Sequence, residues 1–372
     1  MPPLQLLIKP ASGNCNMRCS YCFYIDEMEN RAVGSRGFMS LETLEILVRK
    51  ALEYAEEACC FAFQGGEPTL VGIGFYEELL KLQKHYNTKN IRIDNVLQTN
   101  GYAVDGKWAS FLAENHFLTG LSVDGICAVH NAYRRDKKGN DTFGRVMDAA
   151  ALLQKAGAEF NVLTVVNNKT ASKAARIYQF YKKNRFYYQQ YIACLNPLGS
   201  TKEPEYSLHP QAYGKFLTEL FDLWYLDLQK GEQPYIRQFE NYVGILLGIE
   251  PEACEMKGLC GLQNVIEADG SVYPCDFFVL DDYKVGDIRE DSFEKILERT
   301  IDLKFTEKSV ITDRECRECR YFPMCRGGCG RHRMGEEDGG TGRNRFCQSY
   351  QMFFEAALPR LADIAEKIRR GR

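Results

Sequence analysis

Apolar residues in the first half of the chain fall into short runs that alternate with longer stretches of helical periodicity. The short runs are rich in aromatic and β-branched residues and show little polar alternation, as expected for strands that are covered on both faces. We therefore predict six strands before residue 195: Leu4–Lys9, Cys60–Gln64, Ile91–Gln98, Phe117–Val123, Phe160–Val166 and Tyr187–Cys194.

Five segments with helical periodicity lie between these strands: Leu41–Glu57, Gly74–His85, Gly106–Asn115, Phe143–Ala156 and Ser172–Lys183. Ser40 is positioned to cap the first segment, and Gly157 to end the fourth. Alternating strands and helices favour a parallel sheet with functional loops at the carboxyl ends of its strands. Six units are too few for an eight-unit barrel, so we expect an α/β fold with a partial (β/α)6 barrel.

The pattern changes beyond residue 200, where helices come first and a Cys- and Gly-rich region with short strands follows. The predicted elements are helices Gln211–Leu228 and Arg237–Leu247, strands Gln263–Glu267 and Val272–Pro274, and a tail helix Gln351–Ile368. These changes predict a partial barrel over residues 1–235, a Cys-rich domain over 236–350, and a C-terminal helix over 351–372.

Composition and charge are those of an ordinary globular protein. Of 372 residues, 45% are hydrophobic and 26% are charged, and the net charge is -3. This balance gives no reason to expect a nucleic-acid or membrane partner. No apolar run approaches the ~20 residues of a membrane helix, and the first residues lack the pattern of a signal peptide. We therefore expect a cytoplasmic protein.

The 15 cysteines are the most informative residues. Their number is odd and nothing indicates export, so disulfides explain them poorly in a reducing compartment. Three lie near the start and eight lie between Cys254 and Cys347, which favours ligation of metal ions or clusters. The remaining four are predicted to be core thiols: Cys59, Cys60, Cys127 and Cys194.

The first group, Cys15-Asn-Met-Arg-Cys19-Ser-Tyr-Cys22, follows the first predicted strand. Three thiolates on a four-iron cluster leave one iron open to a cofactor or substrate. A zinc loop that borrows a distant fourth ligand remains an alternative, as do three cysteines with no shared role.

This group resembles the signature of the radical S-adenosylmethionine superfamily, in which an aromatic residue, here Tyr21, precedes the last cysteine. Gln64-Gly65-Gly66-Glu67-Pro68 follows the second strand, where the superfamily has a glycine-rich turn for the amino group of S-adenosylmethionine. The resemblance therefore implies a radical-generating [4Fe-4S] cluster on Cys15, Cys19 and Cys22, with Gly66 at the cofactor.

Three further cofactor contacts follow from the resemblance. Ser122, at the end of the fourth strand, should meet S-adenosylmethionine, Arg134 should pair with its carboxylate, and Leu195 should pack near its adenine. An arginine suits a carboxylate because its fork donates two hydrogen bonds. A surface charge at Arg134 and an ordinary core side chain at Leu195 are the alternatives.

The second cysteine group has a distinctive spacing. Cys260 is followed by nine residues, Gly270, four residues and Cys275, and then come Cys316-x-x-Cys319, Cys325, Cys329 and Cys347. This resembles the auxiliary-cluster extension of radical enzymes that modify peptides, and with Cys254 it supplies eight thiolates for two four-cysteine clusters. The resemblance assigns one cluster to Cys254, Cys260, Cys275 and Cys329, and the other to Cys316, Cys319, Cys325 and Cys347. Two structural zinc sites are the alternative.

The whole chain resembles the anaerobic sulfatase-maturating enzymes. The segments that carry the resemblance are Leu7-Ile8-Lys9-Pro10, Cys22-Phe23-Tyr24, Phe61 to Leu70, Leu97-Gln98-Thr99-Asn100-Gly101 and Tyr273-Pro274-Cys275-Asp276-Phe277. The resemblance implies an oxidoreductase that converts a cysteine or serine of a sulfatase polypeptide to Cα-formylglycine without oxygen, by way of a 5′-deoxyadenosyl radical. It also implies three [4Fe-4S] clusters, S-adenosylmethionine, and a flavodoxin or ferredoxin as electron donor.

Asp276 matches the catalytic aspartate of that family, and the reaction requires a base because the target residue loses a thiol or hydroxyl proton. Tyr24, Gln64 and Arg237 are expected to contact the peptide. A carboxylate that caps a turn is the alternative for Asp276. A maturase that forms thioether or carbon–carbon crosslinks would share all eleven ligands, whereas a non-catalytic cluster or zinc-binding electron carrier would not need Gly66 or Asp276.

Overall fold

The computed structural model of the protein describes residues 3–200, 202–311, 313–333 and 342–371. Its strands are β1 Leu4–Lys9, β2 Ala58–Phe63, β3 Arg92–Thr99, β4 Leu118–Ser122, β5 Phe160–Val166, β6 Tyr188–Ala193, β7 Tyr235–Ile236, β8 Val265–Glu267, β9 Ser271–Tyr273 and β10 Gly286–Asp287. Its helices are α1 Phe23–Glu29, α2 Leu41–Tyr54, α3 Ile73–Tyr86, α4 Gly106–Glu114, α5 Cys127–Tyr133, α6 Phe143–Ala156, α7 Asn168–Ala171, α8 Ala174–Lys183, α9 Pro210–Leu228, α10 Arg237–Leu246, α11 Phe293–Asp302, α12 Arg314–Arg317, α13 Phe322–Cys325 and α14 Cys347–Arg369.

The six strands predicted before residue 195 are all present, and β1 and β5 have the predicted ends. The hydroxyl of Ser40 caps α2 by accepting a hydrogen bond from the N–H of Thr43 at 3.0 Å. Gly157 ends α6 with a φ of 72°, a left-handed conformation that glycine adopts without steric cost. The local sequence signals for these elements are therefore confirmed.

Two predicted helix ends differ from the structure by more than two residues. The pattern predicts a first helix to Glu57, but α2 ends at Tyr54 because Ala55 is extended, with ψ of 143°. It predicts a tail helix from Gln351, but α14 begins at Cys347, so the last cysteine of the second group starts a helix.

The prediction that four cysteines are core thiols holds for Cys59 and Cys194, which are buried, while Cys60 is partly buried. It is wrong for Cys127, which is exposed at the start of α5. The sulfur of Cys127 accepts a hydrogen bond from Nδ2 of Asn131, one turn further along the same helix, at 3.3 Å.

The chain folds into two compact units, and the first comprises Met1–Ser122, Arg134–Phe160 and Leu262–Phe305. Its strands lie in the order β10-β9-β8-β1-β2-β3-β4. Strands β1 to β4 are parallel, β8 is parallel to β1, and β9 is antiparallel to both of its neighbours. The register pairs Lys9 of β1 with Glu267 of β8. This pairing brings the start of the chain beside the segment that carries Cys275 and Asp276.

The second unit comprises Val123–Tyr133, Asn161–Gly261 and Thr306–Arg372. It contains the parallel strands β5, β6 and β7 and most of the second cysteine group. Helices α9, α10 and α14 pack around an aromatic core in which Phe221, Phe239 and Phe353 have ring centres 5.2 to 5.8 Å apart. Burial of aromatic side chains on this scale anchors the long terminal helix.

In the described part of the chain, no helix combines the length and the apolar character that crossing a membrane would require.

Candidate active site

The first cysteine group forms a loop between β1 and α1 in the first unit. Cys22 directly precedes α1, and its sulfur accepts hydrogen bonds from the backbone N–H groups of Ile25 and Tyr24. Asn100, which follows β3, donates from Nδ2 to the sulfur of Cys15 at 3.5 Å. Cys15 and Cys22 also lie close enough to interact electrostatically. Such N–H donors stabilise a thiolate more than a thiol.

Burial favours the protonated form of two thiols of this loop, Cys15 and Cys22. Burial, and then the carboxyl group of Glu67, raise the pKa of Cys15 to about 12. Burial also raises the pKa of Cys22, while its backbone donors and the cations Arg134 and Lys9 act in the opposite direction. Iron binds thiolates and displaces these protons. Three cysteines on one loop, two of them with N–H donors at the sulfur, fit a cluster that keeps one iron free for another ligand.

The turn Gly65-Gly66 packs against this loop through its backbone. The N–H of Gly66 donates to the carbonyl of Ser12 at 2.7 Å, and the N–H of Glu67 donates to that of Asn14 at 2.8 Å. A Cβ atom on Gly66 would lie 2.1 Å from the carbonyl oxygen of Asn14. Only glycine fits there without a backbone shift, so the predicted cofactor turn and the cysteine loop are built as one structure.

Glu67 supports this turn from inside the protein. It is fully buried, and its carboxyl group accepts hydrogen bonds from the hydroxyl of Thr99 at 2.7 Å and the N–H of Asn100 at 2.8 Å. Thr69 adds its N–H and hydroxyl as further donors. Burial raises the pKa of Glu67, and these hydrogen bonds oppose the rise. The residue therefore ties the end of β2 to the end of β3.

Arg134 and Tyr21 come together beside the loop. The guanidinium carbon of Arg134 lies 5.4 Å from the ring centre of Tyr21, and both residues are buried. A backbone hydrogen bond of 2.8 Å from Arg18 to Arg135 fastens the cysteine loop to this segment. The surface-charge alternative for Arg134 therefore fails, because its side chain is held inside the protein.

The other two predicted cofactor contacts lie at strand ends. Ser122 ends β4, and its hydroxyl accepts a hydrogen bond from Nε2 of Gln98 on β3 at 3.0 Å. Leu195, in the second unit, follows β6 and is buried. Their contact with S-adenosylmethionine remains a prediction.

Asp276 is held by two side chains from distant parts of the first unit. Nζ of Lys9 donates to Oδ1 of Asp276 at 2.5 Å, and Nε2 of Gln64 donates to Oδ2. Lys9 is completely buried, and the Asp276 side chain is 9% exposed. Because Gln64 directly precedes Gly65-Gly66, the carboxylate is connected through one side chain to the predicted cofactor turn.

A second carboxyl group and an aromatic ring complete the surroundings of Lys9. Its Nζ lies 3.9 Å from the ring centre of Tyr24. Glu27 is buried nearby, and burial raises its pKa to about 8, with Lys9 acting to lower it and Asp276 to raise it. The hydroxyl of Tyr24 donates to Glu267, which also accepts from Arg31 at 2.8 Å. One buried cation therefore faces two carboxyl groups and an aromatic ring.

The role of Lys9 was missed in the sequence, although a signal exists. A lysine at the end of the apolar run Leu6-Leu7-Ile8 is unusual in a buried strand, because a buried cation requires a partner. That partner is 267 residues away in the chain, so spacing does not identify it.

Three predicted ligands of one auxiliary cluster gather in the second unit. Burial, together with nearby acidic groups, raises the pKa of Cys329 to about 12. These acidic groups are Glu255, Cys260 and Cys254. Burial also raises the pKa of Cys254, with Cys260 as a neighbour. The fourth predicted ligand, Cys275, belongs to the first unit, where it is buried directly before Asp276.

The four predicted ligands of the other cluster are also neighbours. Burial, Asp313, Cys347 and Cys325 raise the pKa of Cys316 to about 12. Cys319 and Cys347 lie close enough to Cys325 to raise its pKa, and Cys319 also raises the pKa of Cys347. The family resemblance assigns these four cysteines to one cluster, and their role as its ligands remains a prediction.

Among the described residues, no three Cys, His, Asp or Glu side chains converge on one metal-ion position. A four-iron cluster makes no such demand, because each of its iron atoms binds its own thiolate. Arg237, a predicted peptide contact, lies in the second unit and pairs with Glu252 at 3.0 Å.

Two protein families match this chain, one over the segment with the first cysteine group and one over part of the second. Residues 10–181 match the radical SAM superfamily, and residues 260–320 match an iron–sulfur cluster-binding domain. The cofactors are therefore [4Fe-4S] clusters and S-adenosylmethionine, as predicted.

Relatives of known name match nearly the whole chain. A cysteine-type anaerobic sulfatase-maturating enzyme of Clostridium perfringens is 47% identical over 99% of this chain and 100% of its own length. A serine-type anaerobic sulfatase-maturating enzyme of Bacteroides thetaiotaomicron is 30% identical over 96% of this chain and 90% of its own.

The fold agrees with a solved structure of the same kind. Native anSMEcpe with bound AdoMet and Cp18Cys peptide matches with a TM-score of 0.93 and 46% identity, over 99% of this chain and 100% of that one. This match confirms the predicted α/β fold class with a Cys-rich C-terminal region. The chain is a radical S-adenosylmethionine enzyme and belongs to the family of anaerobic sulfatase-maturating enzymes.

Proposed function

We propose that this enzyme oxidises a cysteine of a sulfatase polypeptide to Cα-formylglycine without oxygen, and that it accepts serine less readily. The cysteine preference is supported by the higher identity to the cysteine-type relative than to the serine-type one, 47% against 30%. The alternative of a crosslinking maturase has no observation in its favour.

The observation that carries the proposal is the hydrogen bond from Gln64 to Asp276 beside the ion pair of Asp276 with Lys9. A base for the reaction must lie near the cofactor, because the proton leaves the same side chain that loses its hydrogen atom. Asp276 meets that requirement, because Gln64, which donates to its carboxylate, directly precedes the Gly65-Gly66 turn.

The cofactors would be held by the residues described above. Cys15, Cys19 and Cys22 would ligate the first cluster, Gly66 and Ser122 would contact S-adenosylmethionine, and the buried Arg134 would pair with its carboxylate. When bound, the cluster and S-adenosylmethionine supply the 5′-deoxyadenosyl radical, which removes a hydrogen atom from Cβ of the target residue.

Asp276 would then receive the proton of the target thiol or hydroxyl. Lys9 orients the carboxylate and balances its charge inside the protein, and Gln64 fixes the second oxygen. Each carboxylate oxygen has two acceptor sites, so these donors leave capacity for a proton from the substrate. Removing that proton would make the loss of the second electron easier, and an auxiliary cluster, when bound, would supply an acceptor for that electron. The product would be an aldehyde from serine and a thioaldehyde from cysteine, and water would convert the thioaldehyde to formylglycine with release of hydrogen sulfide.

Two partners follow from this reaction. One is a sulfatase polypeptide, which we propose binds in an extended conformation with Tyr24, Gln64 and Arg237 among its contacts. The other is a flavodoxin or ferredoxin that donates the electron for cleavage of S-adenosylmethionine.

The test is anaerobic turnover of two matched sulfatase-type peptides that differ only in having Cys or Ser at the target position, with products identified by mass spectrometry. We expect formylglycine from both and faster formation from the cysteine peptide. A product that retains the thiol sulfur in a thioether would instead identify a crosslinking maturase.

A further inference from the structure

Arg333 lies at the end of the turn that follows Cys329. Cys329 precedes the short 3-10 turn Gly330–His332, and the N–H of Arg333 closes the turn by donating to the carbonyl of Gly330 at 2.9 Å. The residue is 2% exposed. The backbone of Arg333 is therefore held by the turn that directly follows a candidate cluster ligand.

The guanidinium of Arg333 has no hydrogen-bond acceptor in the described part of the chain. Its Nε, Nη1 and Nη2 atoms are all buried and unpartnered. A guanidinium carries five N–H donors and stays charged, and an isolated buried charge is strongly unfavourable. Such an arrangement calls for an anion.

Among the described residues, the groups of negative charge that interact with Arg333 are thiols of the second cysteine group. Burial lowers the pKa of Arg333, and three cysteines act in the opposite direction: Cys260, Cys329 and Cys316. Nη2 of Arg333 and the sulfur of Cys260 both lie 3.6 Å from the point that a Cβ atom on Gly330 would occupy. Gly330 therefore leaves open the space between the cation and the sulfur.

We propose that Arg333 is the counter-cation of the auxiliary cluster on Cys254, Cys260 and Cys329, and that it raises the reduction potential of this cluster. The proposal rests on the proposed assignment of these cysteines as cluster ligands. Arg333 is a positioning and tuning residue that acts through the cluster, and it does not contact the substrate.

The physical reason is electrostatic. Four thiolates give a cluster a net negative charge, and reduction adds one more electron to it. A buried cation stabilises the reduced form more than the oxidised form, and hydrogen bonds to sulfur act in the same direction. A cluster tuned in this way accepts an electron more readily, which suits an enzyme that must remove a second electron from its substrate.

The test uses full-length protein in which Cys15, Cys19 and Cys22 are Ala, so that the auxiliary clusters are the iron centres that remain. Arg333→Met removes the charge, and Arg333→Lys keeps it. The matched control is Arg360→Met, which removes an arginine paired with Asp222 at 2.7 Å in the same unit. The reduced fraction of each cluster is followed by electron paramagnetic resonance during an anaerobic potentiometric titration, and iron per chain is measured in parallel.

We expect Arg333→Met to lower the ratio of reduced to oxidised cluster about tenfold at a fixed potential, equivalent to 59 mV for a one-electron couple. Arg333→Lys should stay close to the parent, and Arg360→Met should match it. Loss of iron in Arg333→Met with retention in Arg333→Lys would also support the proposal, because the cation would then be needed to hold the anionic cluster.

Two results would overturn the proposal. One is full iron content and an unchanged potential in Arg333→Met, and the other is an equal effect of Arg333→Met and Arg333→Lys. If the parent protein itself binds zinc in place of about eight irons, the ligand assignment fails, and that failure is visible before any Arg333 variant is measured.

Discussion

At the scale of single residues, the proposed role of Asp276 as a base depends on how its buried carboxylate is held. Asp276 has Lys9 on one oxygen and Gln64 on the other, so its orientation is fixed before the peptide arrives. This fixed orientation favours proton transfer, because a general base acts only within hydrogen-bond reach of the proton it takes.

Asp276→Asn should separate cofactor cleavage from product formation. The amide keeps the shape but cannot act as a base, so formylglycine should fall by about 10²–10⁴-fold, while 5′-deoxyadenosine is still produced. Both compounds are measured in the same anaerobic reaction. Asp269→Asn is the control, since Asp269 pairs with Arg36 at 2.6 Å and its side chain is 31% exposed. Near-normal formylglycine in Asp276→Asn would show that Asp276 is not the base.

Lys9→Met should reveal the cost of leaving Asp276 buried without its cation. Removing one partner of a buried ion pair typically costs ~3–5 kcal/mol, so the free energy of unfolding in urea should fall by about that amount. The double variant with Asp276→Asn should recover part of the loss. Lys81→Met is the control, because it breaks a surface ion pair with Glu78 in which the Lys81 side chain is 72% exposed. It should change the free energy of unfolding by less than ~1 kcal/mol. Equal effects of Lys9→Met and Lys81→Met would contradict the buried ion pair.

At the scale of secondary-structure elements, the site is made where loops after neighbouring strands meet. The cysteine loop follows β1, the Gly65-Gly66 turn follows β2, and Asn100 follows β3. These strands are adjacent and parallel, so their carboxyl ends lie at the same edge of the sheet. Contacts between the loops then hold the cysteines and the cofactor turn together.

Gly66→Ala should damage the site through the backbone. Its Cβ would clash with the carbonyl oxygen of Asn14 at 2.1 Å, so the turn and the cysteine loop must separate. We expect binding of S-adenosylmethionine, measured by equilibrium dialysis, to weaken at least about tenfold, since even a displacement of ~1 Å is costly in such a site. Gly74→Ala in α3 is the control, because a Cβ there meets no atom within 4 Å. Unchanged binding in Gly66→Ala would remove this turn from the cofactor site.

At the scale of the whole molecule, the predicted cluster ligands fall into two cysteine groups. The first group lies within one short loop, whereas the second extends along the chain from Cys254 to Cys347. A protein that gathers ligands from distant parts of the chain couples cluster binding to folding.

The intact enzyme should bind about twelve iron atoms per chain after anaerobic reconstitution, because eleven thiolates suit three four-iron clusters. Replacing Cys15, Cys19 and Cys22 by Ala should leave about eight and abolish cleavage of S-adenosylmethionine. Iron and zinc are both measured by elemental analysis. Stoichiometric zinc with iron only at the first group would show that the second group forms zinc sites.

The sequence by itself determined the six strands before residue 195, the longer helices between them and the candidate cluster ligands, but it did not indicate β7, β10 or helices such as α1, α5 and α11. The predicted features follow from local periodicity and from short cysteine spacings, and both are properties of neighbouring residues. The errors at the ends of α2 and α14 are also local, because capping and tertiary packing decide where a helix stops. The catalytic assignment of Asp276 came from resemblance to a family, and it still awaits its test.

Only the tertiary structure decided what these residues meet. The ion pair of Lys9 with Asp276 joins positions 267 residues apart, and it depends on the parallel register of β1 with β8. The burial of Arg333 beside three thiols likewise depends on how separate segments fold together, and nothing in Arg331-His332-Arg333 distinguishes it from a charged surface turn. The physical reason is that spacing along the chain determines which residues can share a loop, whereas packing determines which charges lose contact with water and must find a partner.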